Sequence, residues 1–297
     1  MFIINNKMNQ ESDNTIYLGP REETFRTFIK SLLERSKLKT KYVNILTDTK
    51  SMEIYGQAFT SSSANAQENY EVFEQLGDVT ANKFIVWYMY RRFPQLSCTQ
   101  GVKVVARLRI NYGAKQSFSQ IGDALGFWNF ISATVDDRSR KKKSLLEDAL
   151  EAFIGATEFL IDTKIRLGVG YAIVYDILSN IFDEIPISLK YEDLYDAKTR
   201  LKELFDHYGH ELGVLLYEET REEIPGIQTP TVSTVKRVVN GHGKNKTEGG
   251  VQFTLGQGTA ALKGDAQQKA AAAALLFLKK QNYSKDIPLE YKHFCEN

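Results

Sequence analysis

Apolar positions recur at three- and four-residue intervals from Phe25 to Phe182, and give way to short runs of strand type only after Leu212. Phe25, Phe28, Ile29, Leu32 and Leu33 open the helical regime. Gly19-Pro20-Arg-Glu-Glu stands just before them, and an early proline with acids in the first turn favours a helix start. Ser61-Ser-Ser-Ala-Asn-Ala reads as a loop leading into a helix near Glu71. Further helices are expected over 102–112, 117–125, 144–160 and 169–182, with Gly126 stopping the second of these. No alternating pattern marks a strand in this half.

The character changes at Glu184-Ile-Pro186-Ile-Ser, because proline disfavours helix at the residue before it. Beyond it the pattern predicts a helix over 193–208 and strands over Leu212–Glu218, Val232–Val239 and Val251–Leu255. The loop Asn240–Gly250 joins the last two strands, and a helix over Ala266–Lys280 follows. The expected fold class is an all-α domain followed by a small α+β domain of order α-β-β-β-α. The expected boundaries are a flexible N-terminus at 1–18, a helical domain at 19–183, a linker at 184–192, the α+β domain at 193–281 and a tail at 282–297.

The 297 residues allow two domains, and 42% hydrophobic content supplies real cores. A net charge of +1 selects no partner, but from Thr231 to Gln281 eight Lys or Arg face two acids, a surface suited to phosphate. Cys98 and Cys295 form no CxxC pair, which argues against a disulfide framework or a zinc site and for a reducing, intracellular setting. His207 and His210 lack a cysteine neighbour, so a metal role there is disfavoured. The N-terminus lacks a signal-peptide core, and no apolar run reaches the ~18 residues of a membrane span. The cytoplasm is the expected compartment. The basic run Arg138–Lys143 leaves open a nuclear address, a nucleic-acid contact or a solvated loop.

The chemistry concentrates in Glu71-Val-Phe-Glu74-Gln-Leu-Gly-Asp78 and in Asp148-Ala-Leu-Glu151. On helices, Glu71, Glu74 and Asp78 share one face, and so do Asp148 and Glu151. Both segments are otherwise apolar, and buried carboxylates are costly without a cation between them. Oxygen-only ligation suits Mg2+, with Mn2+ as the alternative. The bland reading is a pair of solvated helix faces.

Asn69–Asp78 resembles the signature of the ribonuclease III family, and Leu145–Ala156 its second catalytic segment. Gln57–Asn65 is similar to the loop that precedes the signature, and the α-β-β-β-α half resembles a double-stranded-RNA-binding domain. The resemblance implies a Mg2+-dependent endoribonuclease that cuts double-stranded RNA and leaves short 3′ overhangs. Glu74, Asp78, Asp148 and Glu151 match the catalytic, metal-binding carboxylates of the family, and Glu71 matches a supporting acid beside them. Such a set can hold two ions ~3.5–4 Å apart, which activate water and stabilise the leaving 3′-oxygen. The resemblance also implies a homodimer. Val72-Phe73 and Gln75 depart from the usual residues at the dimer seam, so an altered seam is expected. For the second domain, Lys244, Lys246, Lys263 and Lys269 are the expected RNA contacts, and Gln228 stands where the family's loop carries histidine. The alternative function is a non-catalytic double-stranded-RNA binder or scaffold whose nuclease-like domain only dimerises.

Overall fold

The computed structural model describes residues 15–113, 115–221, 229–242 and 247–295, which form two compact units, 1–187 and 188–297. The first unit runs β1 (Ile16–Tyr17), α1 (Glu23–Arg35), α2 (Thr40–Leu46), α3 (Thr49–Ala58), α4 (Glu71–Arg92), α5 (Gly101–Tyr112) and α6 (Lys115–Ala124). It continues with β2 (Ala133–Thr134), α7 (Val135–Arg140), α8 (Lys142–Lys164) and α9 (Val169–Asp183). The fold is the helical one expected, and Gly126 takes the left-handed conformation (φ 85°) just beyond α6.

Helix α8 is the central element. Leu145, Leu146, Leu150, Phe153, Ile154, Leu160 and Ile161 are all buried, leaving it almost no exposed stripe, as befits a helix packed on several sides. Against its middle lies an aromatic cluster in which Phe28 stacks on Phe130 at 4.2 Å and Phe127 meets Phe153 edge-on. Tyr55 is fully buried, so its hydroxyl needs a partner, and it finds Thr157 Oγ1 at 2.8 Å.

Two local features differ from the expectation. Ile16 and Tyr17 form a strand that pairs antiparallel with Thr134 and Ala133, although the sequence shows a polar end without periodicity. A two-residue strand is too short to leave a periodic trace. The basic run 138–143 is not a bare loop either: it spans the end of α7 and the start of α8. Arg138 lies over Trp128 and Tyr17, while Arg140, Lys141 and Lys142 each pair with an aspartate at 2.9 Å. Its charge is largely spent within the fold.

The second unit carries α10 (Tyr191–Leu194), α11 (Ala197–Tyr208), β3 (Val214–Arg221), β4 (Thr231–Val239), β5 (Val251–Ala260), α12 (Lys263–Lys280) and α13 (Leu289–Cys295). The sheet is antiparallel in the order β3-β4-β5, with α11 and α12 packed on one face. The single helix expected over 193–208 is broken at Asp196, whose side chain caps α11 by accepting from the Thr199 amide at 3.0 Å. Strand β5 runs five residues past the expected Leu255, because Gly256 and Gly258 continue it. A side chain at Gly258 would strike the Ala270 backbone at 2.4 Å, so bare glycines let the alanine face of α12 lie directly on the strand. Ala266, Ala270, Ala271 and Ala274 of α12 are buried. In the tail, Tyr291 of α13 packs on Tyr191 and Tyr195.

Candidate active site

Helix α4 is entered through a pinned loop. Gln57 donates to the Asn69 carbonyl (3.1 Å), Asn69 to the Asn65 carbonyl (3.0 Å), and the Asn69 side chain accepts from the Glu71 amide at 3.1 Å. Arg21 braces the start of this loop with bonds to the Phe59 carbonyl (3.0 Å), the Phe130 carbonyl (2.7 Å) and Ser132 Oγ (2.9 Å). Its burial lowers the guanidinium pKa to about 10.

Helices α4 and α8 then cross at two glycines. A Cβ placed on Gly77 would lie 1.8 Å from the Glu151 carbonyl oxygen, and one on Gly155 would lie 2.0 Å from that of Phe73. No side chain separates the backbones, so Glu74 and Asp78, which flank Gly77, come against Asp148 and Glu151, which lie two turns and one turn before Gly155.

The electrostatics record this convergence. Glu151 is only 7% exposed. Its pKa rises to about 8, first from burial and then from the charges of Glu147, Asp78, Glu74 and Asp148. Glu74 rises to about 7, from burial and then from Asp148 and Glu71. Asp148 is also raised by burial, and the hydrogen bond it accepts from the Tyr70 hydroxyl at 2.8 Å (Oδ2) opposes that rise. Asp78 is exposed and accepts at Oδ1 from Asn82 at 2.8 Å. All four sequence-expected carboxylates therefore share one electrostatic neighbourhood, with Glu71 at its edge.

Among the described residues, no three His, Cys, Asp or Glu side chains stand in ready coordination geometry. The fit to a divalent ion is one of donor type and charge: oxygen donors only, and a surplus of negative charge that, with burial, raises the pKa of Glu74 and Glu151.

Three groups escaped the sequence reading. Tyr70 precedes the first acid and orients Asp148. Glu147 lies beside Asp148 and is raised by burial. Lys115, at the start of α6, reaches Glu147 Oε2 at 2.6 Å. Tyr70 and Glu147 were adjacent to motif acids, which is a weak signal. Nothing local to Lys115 pointed to it.

In the second unit, Lys263 opens α12 but is paired with Glu219 at 3.1 Å, and Gln267 donates to the same carboxylate at 2.5 Å. Lys269 donates to the Thr259 carbonyl at 3.0 Å. Lys244, Lys246 and Gln228 lie outside the described residues.

Residues 71–159 match the family described as Ribonuclease III domain. A protein provisionally named ribonuclease 3 from Invertebrate iridescent virus 6 is 41% identical over 302 residues, covering 97% of this chain and 99% of that protein. One similarly named in Frog virus 3 is 38% identical over 86% of this chain, which spans only 63% of that longer protein. Ribonuclease 3 of Lactobacillus johnsonii is 29% identical over 73% of this chain and 92% of its own length.

Proposed function

This chain belongs to the ribonuclease III family, and on that premise we propose that it is a divalent-metal-dependent endoribonuclease that hydrolyses phosphodiester bonds in double-stranded RNA. The observation that carries the reading is the glycine-to-glycine crossing of α4 and α8, which gathers Glu74, Asp78, Asp148 and Glu151 into one over-charged cluster.

These four carboxylates are the proposed ligands for Mg2+ or Mn2+. The chemistry such ions supply is activation of water and neutralisation of charge developing at the phosphorus centre. The chain's own residues prepare for it. Tyr70 fixes one oxygen of Asp148. Glu151, walled off from solvent, provides a negative charge whose only relief is a proton or a cation. The second unit, with its α-β-β-β-α order and basic surplus, is the proposed holder of the duplex, read by shape and phosphates rather than by base edges.

A homodimer that cuts both strands and leaves short 3′ overhangs belongs to the same proposal. Its support is an exposed apolar face on α4 formed by Val72, Leu76 and Val79. That face borders a cleft of about 710 Å³ whose lining includes Gln75, Glu158, Phe159 and Leu167. Thr80, at the same cleft, donates to Glu158. An exposed apolar area beside a built cleft is what a second copy would cover.

The test is incubation of long double-stranded RNA with the protein and Mg2+, beside Glu151→Gln. The unmodified chain is expected to give short duplexes, and the variant to bind RNA without cutting it. Intact RNA with the unmodified chain, or equal cutting by both, rejects the enzyme in favour of a duplex-RNA binder. Sedimentation at micromolar concentration tests the dimer, and a monomer there argues against paired cuts.

A further inference from the structure

Five carboxylates, not four, crowd the crossing of α4 and α8. The fifth, Glu147, is one residue from Asp148 and couples electrostatically to both Asp78 and Glu151. Its Oε2 is buried, and among the described residues no hydrogen bond of regular geometry reaches it. What compensates it is the Lys115 ammonium, 2.6 Å away. That ammonium comes from a different helix, and it also lies within electrostatic reach of Glu74, Asp148 and Glu151.

A buried carboxylate deprived of its counter-charge is strongly unfavourable and takes the nearest available cation. Beside a metal site, that cation would be the metal. The metal affinity of a carboxylate site rises with the number of ligand charges, while a fixed ammonium at its edge repels a divalent ion.

We propose that Lys115 is a positioning residue for the metal site: it closes Glu147 into an ion pair, so that four carboxylates and not five are offered to divalent ions. The pair thereby sets the affinity of the site. It keeps a spare ligand from tightening the grip on the ions or competing for the coordination positions that water and phosphate must use. The proposal rests on the metal-site reading of the previous subsection.

The experiment is calorimetric titration of the full metal-free chain with Mn2+, which needs no turnover. The variants are Lys115→Met, Lys115→Arg, Glu147→Gln, Lys115→Met with Glu147→Gln, and Glu151→Gln. Lys115→Met is expected to bind Mn2+ about tenfold more tightly, because one carboxylate charge joins the ligand set. Adding Glu147→Gln is expected to restore affinity to within about threefold of the parent, because the freed charge is gone. A role for Lys115 in folding alone would not produce a gain that a second substitution reverses.

Unchanged or weaker binding by Lys115→Met overturns the proposal. So does a double variant that binds at least tenfold more weakly than the parent, for then Glu147 is itself a ligand. If Lys115→Met fails to fold, the double variant, which leaves no unpaired buried charge, and Lys115→Arg, which keeps the pair, decide in its place. Both are expected near the parent affinity, and a tenfold departure of either overturns the proposal. Glu151→Gln separates the two levels. If it leaves Mn2+ binding unchanged, or if the parent binds none, the metal-site reading fails first and takes the Lys115 proposal with it.

Discussion

Replacing Gly77 by alanine isolates the contact on which the candidate site depends. In an exposed helix interior this change stabilises by about 1 kcal/mol, since alanine is the better helix former. Here the new methyl would sit 1.8 Å from the Glu151 carbonyl oxygen and 2.5 Å from its carbon, about 1.6 Å short of ordinary contact. The obstacle is backbone on a buried helix and cannot rotate away, so α4 and α8 must separate by on the order of 1 Å. Overpacking of this kind costs about 1–3 kcal/mol, and a clash with backbone belongs at the upper end. A net loss of about 2–3 kcal/mol lowers the melting temperature of the first unit by roughly 4–12 °C, given about 2–4 °C per kcal/mol for 150–250 residues. The displacement falls between the two carboxylate pairs, so cleavage should drop about 100-fold, the scale of a 1 Å misplacement at a reacting centre. Scanning calorimetry and a single-turnover cleavage assay measure both effects. Gly264→Ala, where nothing lies within 4 Å, is the control and is expected to leave stability unchanged or slightly raised. A Gly77→Ala protein as stable as the parent would refute the close crossing and with it the argument for a shared site.

Three further outcomes follow from other contacts. In metal-free buffer, stability should fall as pH rises from 6 to 8.5. Glu74 and Glu151 are raised from 4.5 to about 7 and about 8, so their stabilising contribution is complete below pH 4.5 and is lost as pH passes through those folded values. Mg2+ should then raise the melting temperature more at pH 8.5 than at pH 6, because proton and cation compete for the same oxygens; the reverse order would contradict the cluster. Tyr70→Phe removes the hydrogen bond to Asp148 Oδ2 and should weaken Mn2+ binding about tenfold, as loss of a ligand-orienting partner does, with the near-ultraviolet circular dichroism unchanged. An unchanged Kd would mean that Asp148 needs no orientation. Glu219→Gln frees Lys263, so duplex-RNA affinity should rise several-fold and the slope of log K against log salt should steepen by about 0.9 for one added phosphate contact; an unaltered slope would place Lys263 away from the RNA.

What the sequence determined is what one helix or one strand can encode. Glu74 and Asp78 share a face because a helix has 3.6 residues per turn, and Asp148 and Glu151 do so for the same reason. The segments Asn69–Asp78 and Leu145–Ala156, with the order α-β-β-β-α, carried the resemblance to the family, and that resemblance implied the four acids. The tertiary structure decided everything that depends on two segments meeting. Gly77 and Gly155 look like ordinary helix-weakening residues until the helices cross on them. Strand β5 is expected from the sequence to end at Leu255, because the glycine that follows reads as a stop unless the alanine face above it is known. Lys263, basic in sequence, opens α12 and is neutralised by Glu219 of β3. Lys115 belongs to the candidate site only because α6 brings its ammonium to Glu147. Periodicity along a chain records which residues share a face, but carries no trace of which faces come together or how closely. The charge balance of a buried site is set by that approach, and so it was legible only in three dimensions.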